Sequence, residues 1–366
     1  MDPTTTCCPN MACPASGQTG PGNIGLHSRQ DRRFLGPQCR KPCATTYGTV
    51  FYRLRPASDL VALLSTLLAP GGPVPAMVVA CGCDERTGAG WRARAGRQGQ
   101  AGQEPLVEPL RDLGQGPADE RRVKRPGGLV WMARAMMVSP RLWRAGAGSE
   151  PRDMTWSRRL SGRGRAGALP RPLLWCPAGL CSYIRALREP LREPVRTGAH
   201  GRPRLRPWRT VCIAPVVQRS AQRRVVAVDR RLVEGTPARV ETRRRRAQGA
   251  GVSTPADIER LHATFRARLA ALTRRGRALA RRTRTLPQGK YLSGTVDNCC
   301  TPHTRLAHAG GQTPPAMAAG ITDHCWSVPE RLSSHVPPPR WRPPQHRGRP
   351  SHALKRLAKR WCGDHG

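Results

Sequence analysis

Thr254 to Thr285 reads TPADIERLHATFRARLAALTRRGRALARRTRT, and the rest of the chain is best read outward from it. Thr254 suits an N-cap and Pro255 the first helical position, while Asp257 puts a carboxylate in the first turn, where the helix dipole favours it. Ile258, Leu261, Phe265, Leu269, Leu272 and Leu279 recur at intervals of three and four, so one face of the helix is buried. Arg260, Arg266, Arg268, Arg274, Arg275, Arg277, Arg281 and Arg282 fall largely on the other faces. Glu259 then stands near the start of a long basic helix, able to hold a metal while the arginines hold a polyanion. Taken alone, the segment also reads as the solvated face of an ordinary core helix.

The neighbouring segments separate these readings. Tyr291 to Glu330 is YLSGTVDNCCTPHTRLAHAGGQTPPAMAAGITDHCWSVPE. With the helix before it, it resembles the end of the catalytic domain of bacterial insertion-sequence transposases of the DDE type. There an IERxNxTFR helix precedes a YNFxxPHxxL segment and then TPAMAAGLTDHxWS. The resemblance extends upstream through Gly48 to Leu54 (GTVFYRL), Asp84 to Arg94 (DERTGAGWRAR), Ala118 to Lys124 (ADERRVK) and Val130 to Met136 (VWMARAM). It continues in Arg141 to Trp143 (RLW), Val195 to Leu205 (VRTGAHGRPRL) and Val216 to Arg224 (VVQRSAQRR).

The resemblance implies an α/β ribonuclease H-like core, a mixed five-stranded sheet with helices, over residues 118–335. It also implies a zinc-ribbon-like module over 1–55 and a helix-turn-helix over 56–100, with a linker at 101–117 and a basic Pro/Arg-rich tail at 336–366. In such a core three carboxylates from separate elements hold two divalent ions, Mg²⁺ or Mn²⁺, which activate the attacking oxygen and stabilise the leaving one. Asp119, in ADERRVK, takes the first position and Glu259 the third. The second falls in Leu173 to Tyr183, LLWCPAGLCSY, where the family has VDGLASY; Ala178 stands in place of the aspartate. A methyl group cannot bind a cation, so this copy is expected to be catalytically impaired. Asp153 and Asp229 are the nearest other aspartates, at offsets that do not fit. Pro177 removes a hydrogen-bond donor from an expected central strand. Arg121 and Arg122 replace an inward Leu-Trp pair, and Asp297 replaces the tyrosine of YNF, each bringing charge toward the core.

Composition points to a polyanionic partner independently. The chain holds 63 Lys+Arg against 23 Asp+Glu, a formal net charge of +40. Aromatic residues make up only 4%, so the cores must be thin. No run of about 18 apolar residues occurs and the start MDPTTTCC has no signal-peptide pattern, so a cytoplasmic, nucleoid-associated protein without a membrane partner is expected.

In a reducing compartment, paired cysteines are more often metal ligands than disulfides. Cys8 and Cys13, with Cys39 and Cys43, bracket a short basic segment and could offer four thiolates to Zn²⁺. In the resembling family the second pair is CxxCxKxF, which puts one expected ligand at Gly36. Either Cys43 substitutes for it or the ribbon is broken.

Ser58 to Gln100 reads as helices broken by turns, with Asp84 capping a third helix whose Arg86, Arg92, Arg94 and Arg97 could enter a major groove. A plain helical connector is the other reading. In the tail, Arg347 and Arg349 flank Gly348 in an RGRP sequence suited to a minor groove, ahead of a short basic helix, HALKRLAKRWC. The expected function is binding of terminal inverted repeats and target DNA, with self-association on DNA and metal-dependent strand cleavage and transfer. An inactive nucleic-acid-binding protein and a poorly folded Arg-rich remnant are the alternatives.

Overall fold

A computed structural model of the chain describes residues 2–55, 58–107, 114–125, 127–151, 153–166, 173–178, 181–195, 203–222, 224–248, 256–272, 285–307, 311–336 and 348–362. Thr254, Pro255, Leu279, Arg274, Arg275, Arg277, Arg281, Arg282 and Arg347 lie outside them. The chain divides into two compact units, Met1–Leu63 with Pro329–Gly366, and Leu64–Val328.

Three short strands come first, β1 (Gly25–Ser28), β2 (Arg33–Leu35) and β3 (Pro42–Ala44), forming an antiparallel sheet in that order. Helices α1 (Ser58–Leu68), α2 (Val74–Cys81) and α3 (Glu85–Val107) follow. The expected linker at 101–117 is not observed as one: α3 runs on to Val107 and the next strand begins at Gln115, with 108–113 outside the described residues. The reason is packing. Gly96 and Gly99 of α3 press so closely on a later helix that a Cβ at Gly96 would lie 2.3 Å from the Gln288 carbonyl oxygen. Glycines that read as breakers are contact points.

The central sheet comprises β4 (Gln115–Arg125), β5 (Gly128–Met136), β6 (Trp143–Ser149), β7 (Leu173–Pro177) and β10 (Val211–Ile213). Its order is β10-β7-β4-β5-β6; β4, β5 and β6 are antiparallel neighbours, while β7 runs parallel to both β4 and β10. Between these strands lie α4 (Met154–Ala166), α5 (Cys181–Arg188) and the hairpin of β8 (Arg192–Val195) with β9 (Arg204–Pro207). After β10 come the hairpin of β11 (Val216–Ala221) with β12 (Arg224–Arg230), then α6 (Pro237–Gln248), α7 (Ala256–Arg268) and α8 (Thr285–Cys300). The chain ends with α9 (Pro315–Ala318), α10 (Val328–Ser333) and α11 (His352–Cys362).

Alternation along the strands sorts side chains to two faces. On one, Ala118, Ala133, Ala135, Ala145 and Ala147 leave room for Trp156 and Leu160 of α4, beside Leu173, Trp175 and Tyr183. On the other, Met136 and Trp143 pack with Ile258, Leu261, Phe265 and Tyr291, so α7 and α8 cover that face. Trp143 settles onto Gly294 of α8, where a Cβ would meet its ring at 2.3 Å. Large aromatics seated on alanine and glycine let a chain of low aromatic content still close its core.

The long helix expected from Thr254 to Thr285 is described only as α7, Ala256–Arg268, followed by a 3-10 turn at Ala270–Leu272. Arg268 turns aside to pair with Asp297 of α8 at 2.8 Å and donates to the Ser293 carbonyl. The charge expected to damage the core at Asp297 is thus neutralised. Arg122 is exposed and Arg121 half-buried, so neither fills the inward position expected of it. The deeply buried arginines are instead Arg134, Arg144 and Arg331. Pro177 ends β7, and the next residue, Ala178, restores the ladder by donating its N–H to the Ala118 carbonyl at 2.8 Å.

In the smaller unit, Cys8, Cys13, Ala15, Ile24 and Phe34 form the core, with Cys39, Cys43 and Leu357 of α11 packed against it. Val50 donates to the Leu332 carbonyl at 3.1 Å, and Val336 to that of Gly48 at 3.0 Å. The expected division at residue 336 therefore falls inside a unit that both ends of the chain build.

Candidate functional site

Where the end of β7 meets the first half of β4, a cavity of about 220 Å³ is lined by Pro117, Ala118, Asp119, Cys176, Ala178, Val216, Val217, Gln218, Ile258 and Glu259. The register explains the meeting. Ala118 pairs with Pro177 in parallel strands, so Asp119 and Ala178 follow on adjacent strands, about 4.8 Å apart across the ladder. Asp119 lies on the sheet face that α7 covers, and Glu259 in the first turn of α7 reaches the same space. Asp257, one turn position earlier, is held by Arg141 at 3.2 Å and ties the helix start to the strand connection.

The Asp119 carboxylate is electrostatically unsettled. Burial first, then the neighbouring Glu120 and Glu259 charges, push the Asp119 carboxyl up to about 6, against the Glu120 backbone N–H that donates to it at 2.8 Å. Behind it stands a group that reading the sequence did not find. The Arg134 guanidinium donates to His262 Nδ1 at 2.6 Å, and His262 Nε2 lies 3.5 Å from Asp119 Oδ2. A guanidinium only donates, so Nδ1 accepts and Nε2 carries the proton, near the carboxylate but without a hydrogen bond to it. Burial, then Arg134, Arg121 and Arg266, hold His262 far below its usual range and neutral. Arg134 sits 4.5 Å above the Phe265 ring and is pushed down to about 9 by burial. The only local signal was a histidine on the apolar side of the α7 stripe.

Asp119 and Glu259 suit one hard cation, but Ala178 contributes no ligand atom. Among the described residues, the group of three or more metal-ligating side chains that converges is Cys8, Cys13 and Cys39. Asp153 caps α4 through the Trp156 N–H at 2.8 Å, and Asp229 pairs with Arg219 on the β11–β12 hairpin, so both are structural.

The cysteine cluster could bind a metal such as zinc. Its three sulfur atoms all lie within 4.8 Å of one another, with Cys8 and Cys39 3.6 Å apart. Burial pushes the Cys8 thiol up to about 12. For Cys39 burial is outweighed by the Lys41 backbone N–H and by the Cys8, Asn10 and Cys13 side chains, so its thiol lies below its ordinary value and is the first to ionise. Cys43 does not join them. It stands on β3 opposite Phe34, beside Cys7, whose thiol is pushed up to about 11 by burial and then by Cys43. Cys43 packs against the same cluster, but its sulfur is not one of the three that converge.

The expected DNA contacts divide by exposure. Arg86, Arg97, Arg260 and Arg349 are exposed. Arg92 and Arg94 are half-buried, their guanidinium pKa lowered by burial; Arg266 is half-buried near Arg134; Arg268 is taken by Asp297. The third helix is thus partly a packing helix. Among the described residues, no helix is long and apolar enough to cross a membrane. No family model, curated protein or solved structure matches the chain.

Proposed function

We propose that this chain is a DNA-binding protein of the insertion-sequence transposase type, with a ribonuclease H-like core whose cutting and joining chemistry is impaired at Ala178. One observation carries the reading: a single cavity gathers Asp119, Ala178 and Glu259, which are far apart in sequence and were singled out by motif position. The strand order, with β4 central, the antiparallel β5–β6 ladder on one side and the parallel β7–β10 pair on the other, supports it. Asp119 and Glu259 would hold one Mg²⁺ or Mn²⁺, which supplies charge neutralisation at a phosphodiester. With a methyl at the second position, Ala178, a second ion lacks its shared ligand.

The same absence favours a second reading, an inactive protein that still occupies element ends. Arg86, Arg97, Arg260 and Arg349 remain free to meet the phosphates of double-stranded DNA, where each neutralised phosphate makes binding more salt-dependent. Self-association on DNA belongs to both readings.

The test is Mg²⁺- or Mn²⁺-dependent cleavage of a labelled duplex carrying the sequences that flank the coding region, comparing the natural chain with Ala178→Asp. Cleavage by the substituted protein alone is the expected result. Cleavage by the natural chain would overturn the role given to position 178, and binding without cleavage by either would favour the inactive binder.

A further inference from the structure

We propose that Cys8, Cys13 and Cys39 form a zinc site whose fourth coordination position, on the side of Gly36, is open to a small exogenous ligand. The proposal stands apart from the DNA reading and rests on the cluster's own geometry.

Two sulfurs bound to one tetrahedral zinc at about 2.3 Å are roughly 3.8 Å apart. The 3.6 Å between Cys8 and Cys39 Sγ already approaches this, and Cys13 completes a triangle of thiols within 4.8 Å. Structural zinc sites close the tetrahedron with a fourth protein ligand; sites that do chemistry or exchange ligands leave it open. The place where a fourth side chain would enter is identifiable here. A Cβ at Gly36 would point between two of the sulfurs, 3.1 Å from Cys39 Sγ and 3.4 Å from Cys8 Sγ. The loop is built to offer that position. Arg40 N–H donates to the Gly36 carbonyl at 2.8 Å and Gly36 N–H to that of Lys41, closing a tight turn with Arg40 at φ 51°. Glycine leaves only a hydrogen there. Cys43 is held on its strand, and among the described residues no histidine, aspartate or glutamate joins the group.

Gly36 itself is buried, and access to the cluster is from the Cys39 side of the same turn. Cys39 is half-exposed and is flanked by exposed Pro37, Gln38 and Arg40. Three thiolates and a dication sum to a net negative centre, while Arg40 and Lys41 beside it supply compensating positive charge. The fourth ligand is therefore water or a small soft anion, best an external thiolate. In the exchange the incoming thiol releases its proton to solvent, its sulfur forms the bond to zinc, and the bound water leaves; no electrons are transferred.

The experiment replaces zinc with Co²⁺ in the reduced full-length protein and reads the thiolate-to-cobalt charge-transfer and visible ligand-field bands. Stoichiometric binding is expected, with an absorption band that shifts when 2-mercaptoethanol is added. Gly36→Cys should raise the charge-transfer intensity by about one third, from three to four thiolates, and abolish the response to added thiol. Cys43→Ser should behave as the natural chain does. A natural chain indifferent to added thiol, or one whose spectrum weakens on Cys43→Ser, would overturn the proposal, as would failure to bind Co²⁺. If Gly36→Cys does not fold, the thiol titration of the natural chain decides alone.

Discussion

Asp119→Asn should stabilise this protein at neutral pH and leave it unchanged in acid. The carboxyl is raised from 3.8 to about 6, chiefly by burial, and its side chain keeps only 23% exposure. Between those two values the folded protein holds a proton that the unfolded chain has released. Stability therefore falls as pH rises through that window, and above it the full penalty stands. A shift of this size corresponds to about 3 kcal/mol at pH 7. Asparagine has nearly the same shape and carries no charge, so it removes the penalty. Urea unfolding of both proteins from pH 4 to pH 8 would give a difference that is near zero at the acid end and grows to its plateau by about pH 7. A difference independent of pH would refute the reasoning, since it would trace the gain to packing and not to ionisation.

Two further predictions test how the core tolerates its unusual residues. Arg268→Met leaves Asp297, 3% exposed, with only His303 at 3.7 Å beside it and should cost roughly 3 kcal/mol; adding Asp297→Leu should recover most of it, as denaturant midpoints would show. Gly294→Ala should destabilise by about 1–3 kcal/mol despite better helix propensity, because its Cβ meets the Trp143 ring, whereas Gly90→Ala, with open space around it on exposed α3, should gain about 1 kcal/mol in thermal unfolding.

Asp119 and Glu259 were singled out by their place in short motifs, and the fold brings both to one cavity. Ile258, Leu261 and Phe265 were legible from helical spacing and are buried. Arg134 and His262 were not, since they meet across 128 residues of sequence and only the sheet register brings one beneath the other. The linker expected from residue 101 was not legible as helix: α3 continues to Val107, and just before it Gly96 and Gly99 let the helix approach α8. The choice between Cys43 and an incomplete cysteine site turned on whether that residue lies in a strand or a loop, which spacing alone leaves open.

The packing of Leu357 against Phe34 and the cysteines carries a consequence for how the protein is made. Ribosomes add roughly 5–20 residues per second, so tens of seconds separate synthesis of that N-terminal pocket from synthesis of the helix that covers it. Through that interval the pocket's thiols await their lid, and whichever ion or oxidant arrives first acts on a half-built module. A chain cut short before α11 would keep that exposure permanently.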